Sequence, residues 1–236
     1  MNSFLKKIEV FWDVFYYNNG YQRVLIGLKN TLNIAIVGLI IGIIIGTIIA
    51  IIEVYPKYKR LPRILNRIGT IYVGLFRGTP IVVQLLIAYY VVMPLLGVNA
   101  NPVDICVIVF GLNSGAYVSE IMRGGINSVD PGQLEAGRAV GLSYGISMIK
   151  IVIPQAIKNI LPTLGNEFIS LIKETSVVSF VGATDLYAAF NYIGSNNYEF
   201  MVPYIVMALI YIVLVAGISF LIKLMERSLQ RSDRSN

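Results

Sequence analysis

Three uninterrupted runs without a charged residue constrain this chain more than any other feature of its sequence. They extend from Asn30 to Ile52, from Gly78 to Val103 and from Phe200 to Ile222, and they contain 23, 26 and 23 residues. A helix needs about 20 apolar residues to cross the hydrocarbon core of a bilayer, so each run predicts a membrane-spanning helix. The composition agrees, because 14% of the residues are charged, whereas a soluble domain has about 25%.

Two further spans are predicted from less uniform segments. Residues 105–119 form a shorter charge-free run, which extends as a helix to Arg123. Residues 154–180 include Glu167 and Lys173, but helical spacing places their polar side chains on one stripe that can face protein or water. The stripe consists of Asn159, Thr163, Asn166, Glu167, Ser170, Lys173 and Glu174. We predict spans at residues 24–53, 68–97, 103–124, 154–181 and 200–224 of a single domain, residues 1–236.

Lys and Arg residues are distributed unevenly among the predicted loops. Residues 53–67 carry a net charge of +4, and residues 123–158 and 223–236 are also basic, whereas residues 94–104 and 182–199 contain no Lys or Arg. Because basic loops remain in the cytoplasm, the pattern places the N-terminus outside and the C-terminus inside. The predicted fold is therefore an all-α integral membrane protein with five transmembrane helices. We attribute the net charge of +6 to contact with membrane lipid and not to nucleic acid.

Several chemistries are excluded by residues that the chain lacks. It contains no histidine and one cysteine, Cys106. A Ser-His-Asp triad, a histidine metal site and an internal disulfide are therefore excluded. The sequence therefore offers no histidine-based catalysis and no metal site built from histidine or clustered cysteine.

Small residues recur at intervals of four in the first predicted span. They are Gly38, Gly42, Gly46 and Ala50. Rows of this kind let a second helix approach closely, which is the main packing device between helices in lipid. We expect another span to pack along this row.

The loop at residues 127–150 predicts a short cytoplasmic helix between spans three and four. Asp130 is a favourable N-cap, Pro131 suits the first helical position, and Gln133 occupies the reciprocal position of a capping box. Gly141 can end the helix. A connector would not need so well-capped a helix, which favours a docking role for its surface.

The same loop resembles the EAA loop of binding-protein-dependent ABC importer permeases. The resemblance rests on Glu135-Ala136-Gly137, Gly141 and Ile151-Val152-Ile153-Pro154, with Gly137 in place of a second alanine. Other motifs are similar to those of the polar amino-acid permeases, the histidine, glutamine, arginine and cystine group. These motifs are Arg77-Gly78-Thr79-Pro80, Ser114-Gly115-Ala116-Tyr117, Glu120-Ile121-x-Arg123-Gly124-Gly125-Ile126 and Lys173-Glu174-Thr175-Ser176.

The resemblance implies an assembly in the bacterial cell (inner) membrane. A second permease subunit, identical or paralogous, two cytoplasmic ATPase subunits and an extracytoplasmic amino-acid-binding protein would be its partners. ATP and Mg²⁺ would bind the ATPase, and this chain contains no Gly-x-x-x-x-Gly-Lys-Ser/Thr loop of its own. The implied ATPase-coupling residues are Gln133, Leu134, Glu135, Ala136, Gly137 and Gly141.

Polar residues on three spans predict a site near the middle of the membrane. Arg77, Asn113 and Glu167 each lie nine or ten residues from a basic residue at the cytoplasmic end, or about 15 Å along a helix. Ionisable groups at this depth usually line a pathway or pair with one another. Permanent salt bridges between spans are the alternative interpretation. Glu120 and Arg123, one turn apart, predict a local ion pair.

The resemblance assigns roles to these positions. It implies a substrate-binding pocket at Asn113, Glu167, Lys173 and Glu174. We assign Arg77 and Tyr117 to the pathway or gate, although an aromatic residue in a span is often only packing. The predicted function is ATP-driven import of polar amino acids by alternating access. A passive channel or another kind of membrane protein is the alternative.

Overall fold

The structure of the protein, a computed structural model, describes residues 2–55 and 60–234. Within these residues the regular elements are all helical. The α-helices are α1 (Asn2–Trp12), α2 (Gly20–Val54), α3 (Arg60–Arg77), α4 (Ile81–Ile87), α5 (Met93–Leu95), α6 (Pro102–Asn127), α7 (Pro131–Ala139), α8 (Tyr144–Ser147), α9 (Ile153–Glu174), α10 (Leu186–Asn196) and α11 (Met201–Arg234). Short π-helical segments at Asp13–Tyr17, Ala88–Val92 and Met148–Val152, and a 3₁₀ segment at Thr175–Val181, connect some of them. The all-α prediction is confirmed.

Among residues 2–55 and 60–234, three helices are long and apolar enough to cross a membrane: α2, α6 and residues 201–228 of α11. The predicted span at residues 68–97 is not one straight helix, because α3 and residues 81–95 meet at an angle of 103°. Pro80 has extended backbone geometry (ψ 138°) at this bend. Proline also disfavours helical geometry at the preceding residue, here Thr79, so the helix is interrupted between Arg77 and Ile81.

The glycine row of α2 packs against α6, as the sequence predicted. A Cβ atom added at Gly42 would lie 2.6 Å from Ser114 Oγ, and one added at Gly46 would lie 2.7 Å from Val118 Cγ1. Both distances are too short for real atoms, so only glycine permits this approach. The contact fixes the position of the middle of α6, which carries the polar residues described below.

The helix α9 packs beside α6 and leaves its polar stripe on the outside. Ile160, Leu164 and Leu171 are buried, whereas Asn159 and Asn166 on the stripe are exposed. The helix is 22 residues long, but it does not belong to the group that is apolar enough to span. Its amide residues and its charged residues together lower its hydropathy, which is the physical reason.

The short helix predicted in the loop is α7. The Asp130 side chain accepts a hydrogen bond from the Gly132 N–H at 2.8 Å, Pro131 is the first helical residue, and Gly141 follows the helix with a left-handed φ of +89°. Gln133 does not close the expected capping box, and its Oε1 instead accepts from Gln155 Nε2 at 3.4 Å. The predicted helix is confirmed, and the hydrogen bond between Gln133 and Gln155 links it to the start of α9.

The glycine that replaces a second alanine in this loop has a packing role. Gly137 is buried, and a Cβ atom there would lie 2.7 Å from Ile151 Cδ1 and 2.9 Å from Ser147 Oγ. An alanine would therefore require these neighbours to move. Gly137 lets α7 lie close to the π-helical segment that leads into α9.

Candidate functional site

Two adjacent residues of α6, Asn113 and Ser114, form the centre of the candidate site. Both are buried, with 4% of Asn113 and 0% of Ser114 exposed. The Asn113 Nδ2 donates to Gln84 Oε1 at 2.9 Å and approaches the Phe76 carbonyl at 3.4 Å. Ser114 faces α9, since its Oγ donates to Glu167 Oε1 at 3.0 Å. One turn of α6 thus joins the bent α3–α4 pair to the carboxylate of α9.

Gln84 closes the bend between α3 and α4. Its Nε2 donates to the Phe76 carbonyl at 2.8 Å and to the Thr79 carbonyl and Oγ1, each at 2.9 Å. These bonds satisfy carbonyl groups that the interrupted helix leaves without partners. The sequence analysis missed Gln84. An isolated amide in the apolar stretch 81–93 was the available signal.

Ser114 was also missing from the predicted site, although it belongs to one of the motifs. It reaches Glu167 because Gly42 of α2 leaves room for its side chain. Glu167 is partly buried, and the hydroxyl holds one of its oxygens on the α6 side. The other oxygen, Oε2, can accept a hydrogen bond from a cationic group.

Lys173 and Glu174 lie at the end of α9, and both are exposed. They are six and seven residues beyond Glu167, or about 10 Å along the helix. Ser176 Oγ donates to the Lys173 carbonyl at 3.0 Å. Glu167, Lys173 and Glu174 therefore follow one helix, while the Asn113 amide is bound to Gln84 on the other side of α6.

Arg77 reaches towards the C-terminal part of α6. Its Nη1 lies 3.8 Å from Glu120 Oε2, and its guanidinium carbon lies 5.4 Å from the centre of the Tyr117 ring. The Phe76 carbonyl is near Asn113, so the backbone lies beside Asn113 whereas the charged group lies further along α6. Arg77 and Tyr117, the two residues predicted for the pathway or gate, are thus brought together.

A charged network lies near the C-terminal end of α6. The predicted pair Glu120–Arg123 is confirmed by a direct contact of the two side chains, and Arg123 Nε also lies 3.5 Å from Glu53 Oε2. With Arg77 bound to Glu120, the network joins α2, α3 and α6. A polar cavity of about 550 Å³ lies beside it.

The predicted coupling residues lie on both faces of α7. Gln133, Glu135 and Ala136 are exposed, as is Gly141 beyond the helix, while Leu134 packs on a core of α6 and α9 side chains. A polar contact lies beside this packed face, where the Tyr144 hydroxyl of α8 is 3.5 Å from the carbonyl of Val54 at the end of α2. Burial raises the pKa of Tyr144 above its ordinary value, so this hydroxyl remains a neutral donor.

The part of the chain that the structure describes lacks the groupings of side chains that bind metal ions. No group of three or more His, Cys, Asp or Glu residues there could hold an ion. Across the same part, the site contains carboxylates, amides, hydroxyls and cationic side chains. This set suits reversible binding of a polar, charged solute.

Comparisons with known proteins agree with this chemistry. Residues 38–231 match the family described as binding-protein-dependent transport system inner membrane component. The chain is 40% identical over 210 residues to the arginine transport system permease protein ArtQ of Bacillus subtilis (strain 168), covering 89% of this chain and 94% of that one. It is 39% identical over 170 residues to the L-cystine transport system permease protein TcyB of the same organism, covering 72% of each.

A solved structure is similar as well. It is described as an amino acid ABC transporter with histidines, and it matches with a TM-score of 0.83 and 38% identity, covering 92% of this chain and 98% of that one. The family match at residues 38–231 includes every residue of the candidate site.

Proposed function

This chain belongs to the family of binding-protein-dependent transport system inner membrane components, and from that premise we propose how its helices move a solute. It is a permease subunit of an amino-acid ABC importer, a transporter component and not an enzyme. These similarities do not favour the passive channel that the sequence left open. What remains to be proposed is the topology, the site and the partners.

We propose five spans in the bacterial inner membrane. They are α2, the bent α3–α4 pair, α6, α9 and α11, with the N-terminus outside and the C-terminus in the cytoplasm. The distribution of Lys and Arg residues supports this orientation. The 22 residues of α9 are long enough to cross the hydrocarbon core, provided that protein or water covers its polar stripe.

The exposed polar stripe of α9 carries the proposal. Asn159, Thr163, Asn166, Lys173 and Glu174 are exposed in the single chain, and such residues are costly against lipid. A second permease subunit, either a copy or a paralogue, would cover the stripe and enclose a polar pathway. The solute would pass between the two subunits.

The proposed substrate site lies on this stripe. Glu167, whose Oε1 is held by Ser114, accepts a cationic group of the amino acid, and Lys173 pairs with its carboxylate. Glu174 adds a second acceptor, so the site has two acidic side chains and one basic side chain, which favours a polar amino acid with a cationic side chain. Asn113 acts through Gln84 by fixing α6 to the bend. Arg77 and Tyr117 form the gate on the cytoplasmic side.

The proposed cycle is alternating access driven by partner subunits. An extracytoplasmic binding protein delivers the amino acid, and two ATPases bind ATP and Mg²⁺ on the cytoplasmic side. They act on the coupling surface, which we define as Gln133, Leu134, Glu135, Ala136, Gly137 and Gly141. Transport results if the site binds the amino acid more tightly in its outward state than in its inward state.

Uptake by reconstituted importers tests this proposal. Glu167→Gln removes one charge and keeps the size of the side chain, so we expect uptake to fall at least about tenfold, or about 1.4 kcal/mol. ATPase binding should be unchanged. Glu9→Gln, the same change at an exposed position of α1, is the matched control and should transport normally. Normal uptake by Glu167→Gln would remove this carboxylate from the site.

A further inference from the structure

The helix α3 has three distinct faces. Gly69 and Val73 are buried against the rest of the chain. A second face is an exposed apolar row, defined by Leu61 (65% exposed), Ile64 (57%), Ile68 (59%), Ile71 (63%) and Leu75 (56%). Arg60, Arg63 and Arg67 are exposed as well, and their spacing places them on one stripe beside the apolar row. We call these residues the arginine stripe.

The charge on this segment has one sign. Between Glu53 and Asp104 the sequence contains six Lys and Arg residues and no acidic residue. In a helix that crosses the membrane, Lys and Arg side chains near its end extend to the headgroup region, while apolar side chains further along can face the acyl chains. Basic clusters next to a membrane attract anionic lipids.

The apolar row leads into a cavity at the bend between α3 and α4. The cavity has a volume of about 400 Å³, and Leu75 belongs both to the row and to its lining. Other lining side chains include Phe76, Val83 and Ile108. The polar lining groups, Thr79 and Gln84, hydrogen bond to each other. A polar amino acid would find few available partners here, whereas an acyl chain would be buried.

We propose that α3 carries a binding site for an anionic phospholipid. The arginine stripe binds the headgroup phosphate, and one acyl chain follows the apolar row and ends in the cavity at the bend. The site requires residues 53–67 to lie on the cytoplasmic side of the membrane, as proposed above. It is separate from the amino-acid site on α9.

The dimensions fit one leaflet. Arg67 and Arg63 precede Leu75 by 8 and 12 residues, or about 12 and 18 Å along the helix. Half of a hydrocarbon core is about 15 Å thick. A headgroup at the arginine stripe therefore places its acyl chain at the depth of the cavity.

The positive charge of this face of α3 also favours an anionic lipid over a second copy of the chain as its binding partner. A symmetric contact through this face would place the arginine stripes of two subunits together, and like charges across an interface are repelled. The polar stripe of α9 offers a dimer contact without that repulsion. An anionic lipid supplies the opposite charge.

Lipid retention by the purified importer complex, with its ATPases, tests the site. The complex is equilibrated in detergent with equal amounts of phosphatidylglycerol and phosphatidylcholine, and retained lipids are counted by native mass spectrometry. We expect selective retention of phosphatidylglycerol by the wild type. The triple substitution R60Q/R63Q/R67Q should lower that retention at least about tenfold, while R60K/R63K/R67K, which keeps the charge, should stay within about twofold of wild type.

A second variant tests the acyl-chain end independently of the arginines. Val83→Trp fills the cavity and should lower retention of phosphatidylglycerol while ATPase binding is unchanged. Undiminished retention by R60Q/R63Q/R67Q, or an equal loss of both lipids, would overturn the site. Loss of the ATPase or the second permease subunit with lipid unchanged would identify the face as a protein contact. Amino-acid uptake is not the readout, so failure here leaves the transport proposal standing.

Discussion

Two helix surfaces of this protein, the glycine row of α2 and the polar stripe of α9, differ in whether the chain itself covers them. Where α2 meets α6, Gly42 and Gly46 bring the helices so close that no side chain would fit at either position. On α9, Asn159, Thr163 and Asn166 are exposed, although the helix is long enough to cross a membrane. The first face is completed within the chain and the second is not. We therefore expect stability to depend on the α2–α6 contact, and assembly and transport to depend on α9 as proposed above.

The largest expected effect is at the completed face. Gly46→Leu would force a side chain against Val118 Cγ1 and the Ser119 nitrogen, both 2.7 Å from the Cβ position, and overpacking of this kind costs about 3 kcal/mol. We expect a marked loss of thermal stability in detergent. Gly217→Leu, where the added Cβ meets nothing within 4 Å, should keep wild-type stability. Equal behaviour of both variants would show that the α2–α6 contact is not limiting.

A second prediction concerns the exposed face of α7. Glu135→Arg changes a surface side chain, so the free energy of unfolding should change by less than about 0.5 kcal/mol. At a docking groove the reversed charge should weaken ATPase binding by about 2 kcal/mol, or roughly thirtyfold. Co-purification of the ATPase measures this. If Glu135→Arg co-purifies with the ATPase and transports like the wild type, α7 only connects its neighbouring helices.

A smaller effect is expected at the polar stripe of α9. Asn166→Leu should leave the single subunit folded, because this side chain is exposed, but should lower uptake about tenfold, or about 1.4 kcal/mol. Ser219→Leu, on the exposed side of α11, is the control and should transport normally. If Asn166→Leu transports normally, this part of the stripe faces neither the partner nor the pathway.

The smallest expected effect lies at the charged network of Arg77, Glu120, Arg123 and Glu53, which belongs to neither of these two surfaces. Arg77 and Glu120 are 3.8 Å apart, with 44% and 28% of their side chains exposed. Pairs with this exposure contribute below about 1 kcal/mol. A double-mutant cycle of Arg77→Gln and Glu120→Gln should give a coupling energy in this range. A coupling energy of several kcal/mol would show that the network contributes as much to stability as the glycine row.

Features set by local chemistry could be predicted from the sequence. The glycine row, the Asp130 cap and the polar stripe of α9 each follow from spacing along one helix. The angle of 103° at residues 78–80 could not be predicted, because a proline indicates a break but not its direction. The hydrogen bonds of Gln84 depend on that bend.

Contacts between helices limited the prediction of the site in the same way. Ser114 reaches Glu167 because Gly42 leaves it room, and three helices have to be in place before this bond exists. The contact of the Arg77 side chain could not be predicted either, since Glu120 lies on another helix.

The polarity of α9 has a consequence for how the protein enters the membrane. In the proposed five-span topology α9 crosses the membrane, but it does not belong to the group of helices apolar enough to span on their own. Hydrophobicity alone should therefore not hold it in the bilayer as it emerges during synthesis. The helices α2 and α6 precede it in the chain, and Ser114 offers Glu167 a polar partner. We therefore expect α9 to be retained by helices already inserted, so the order of synthesis is also the order of membrane integration.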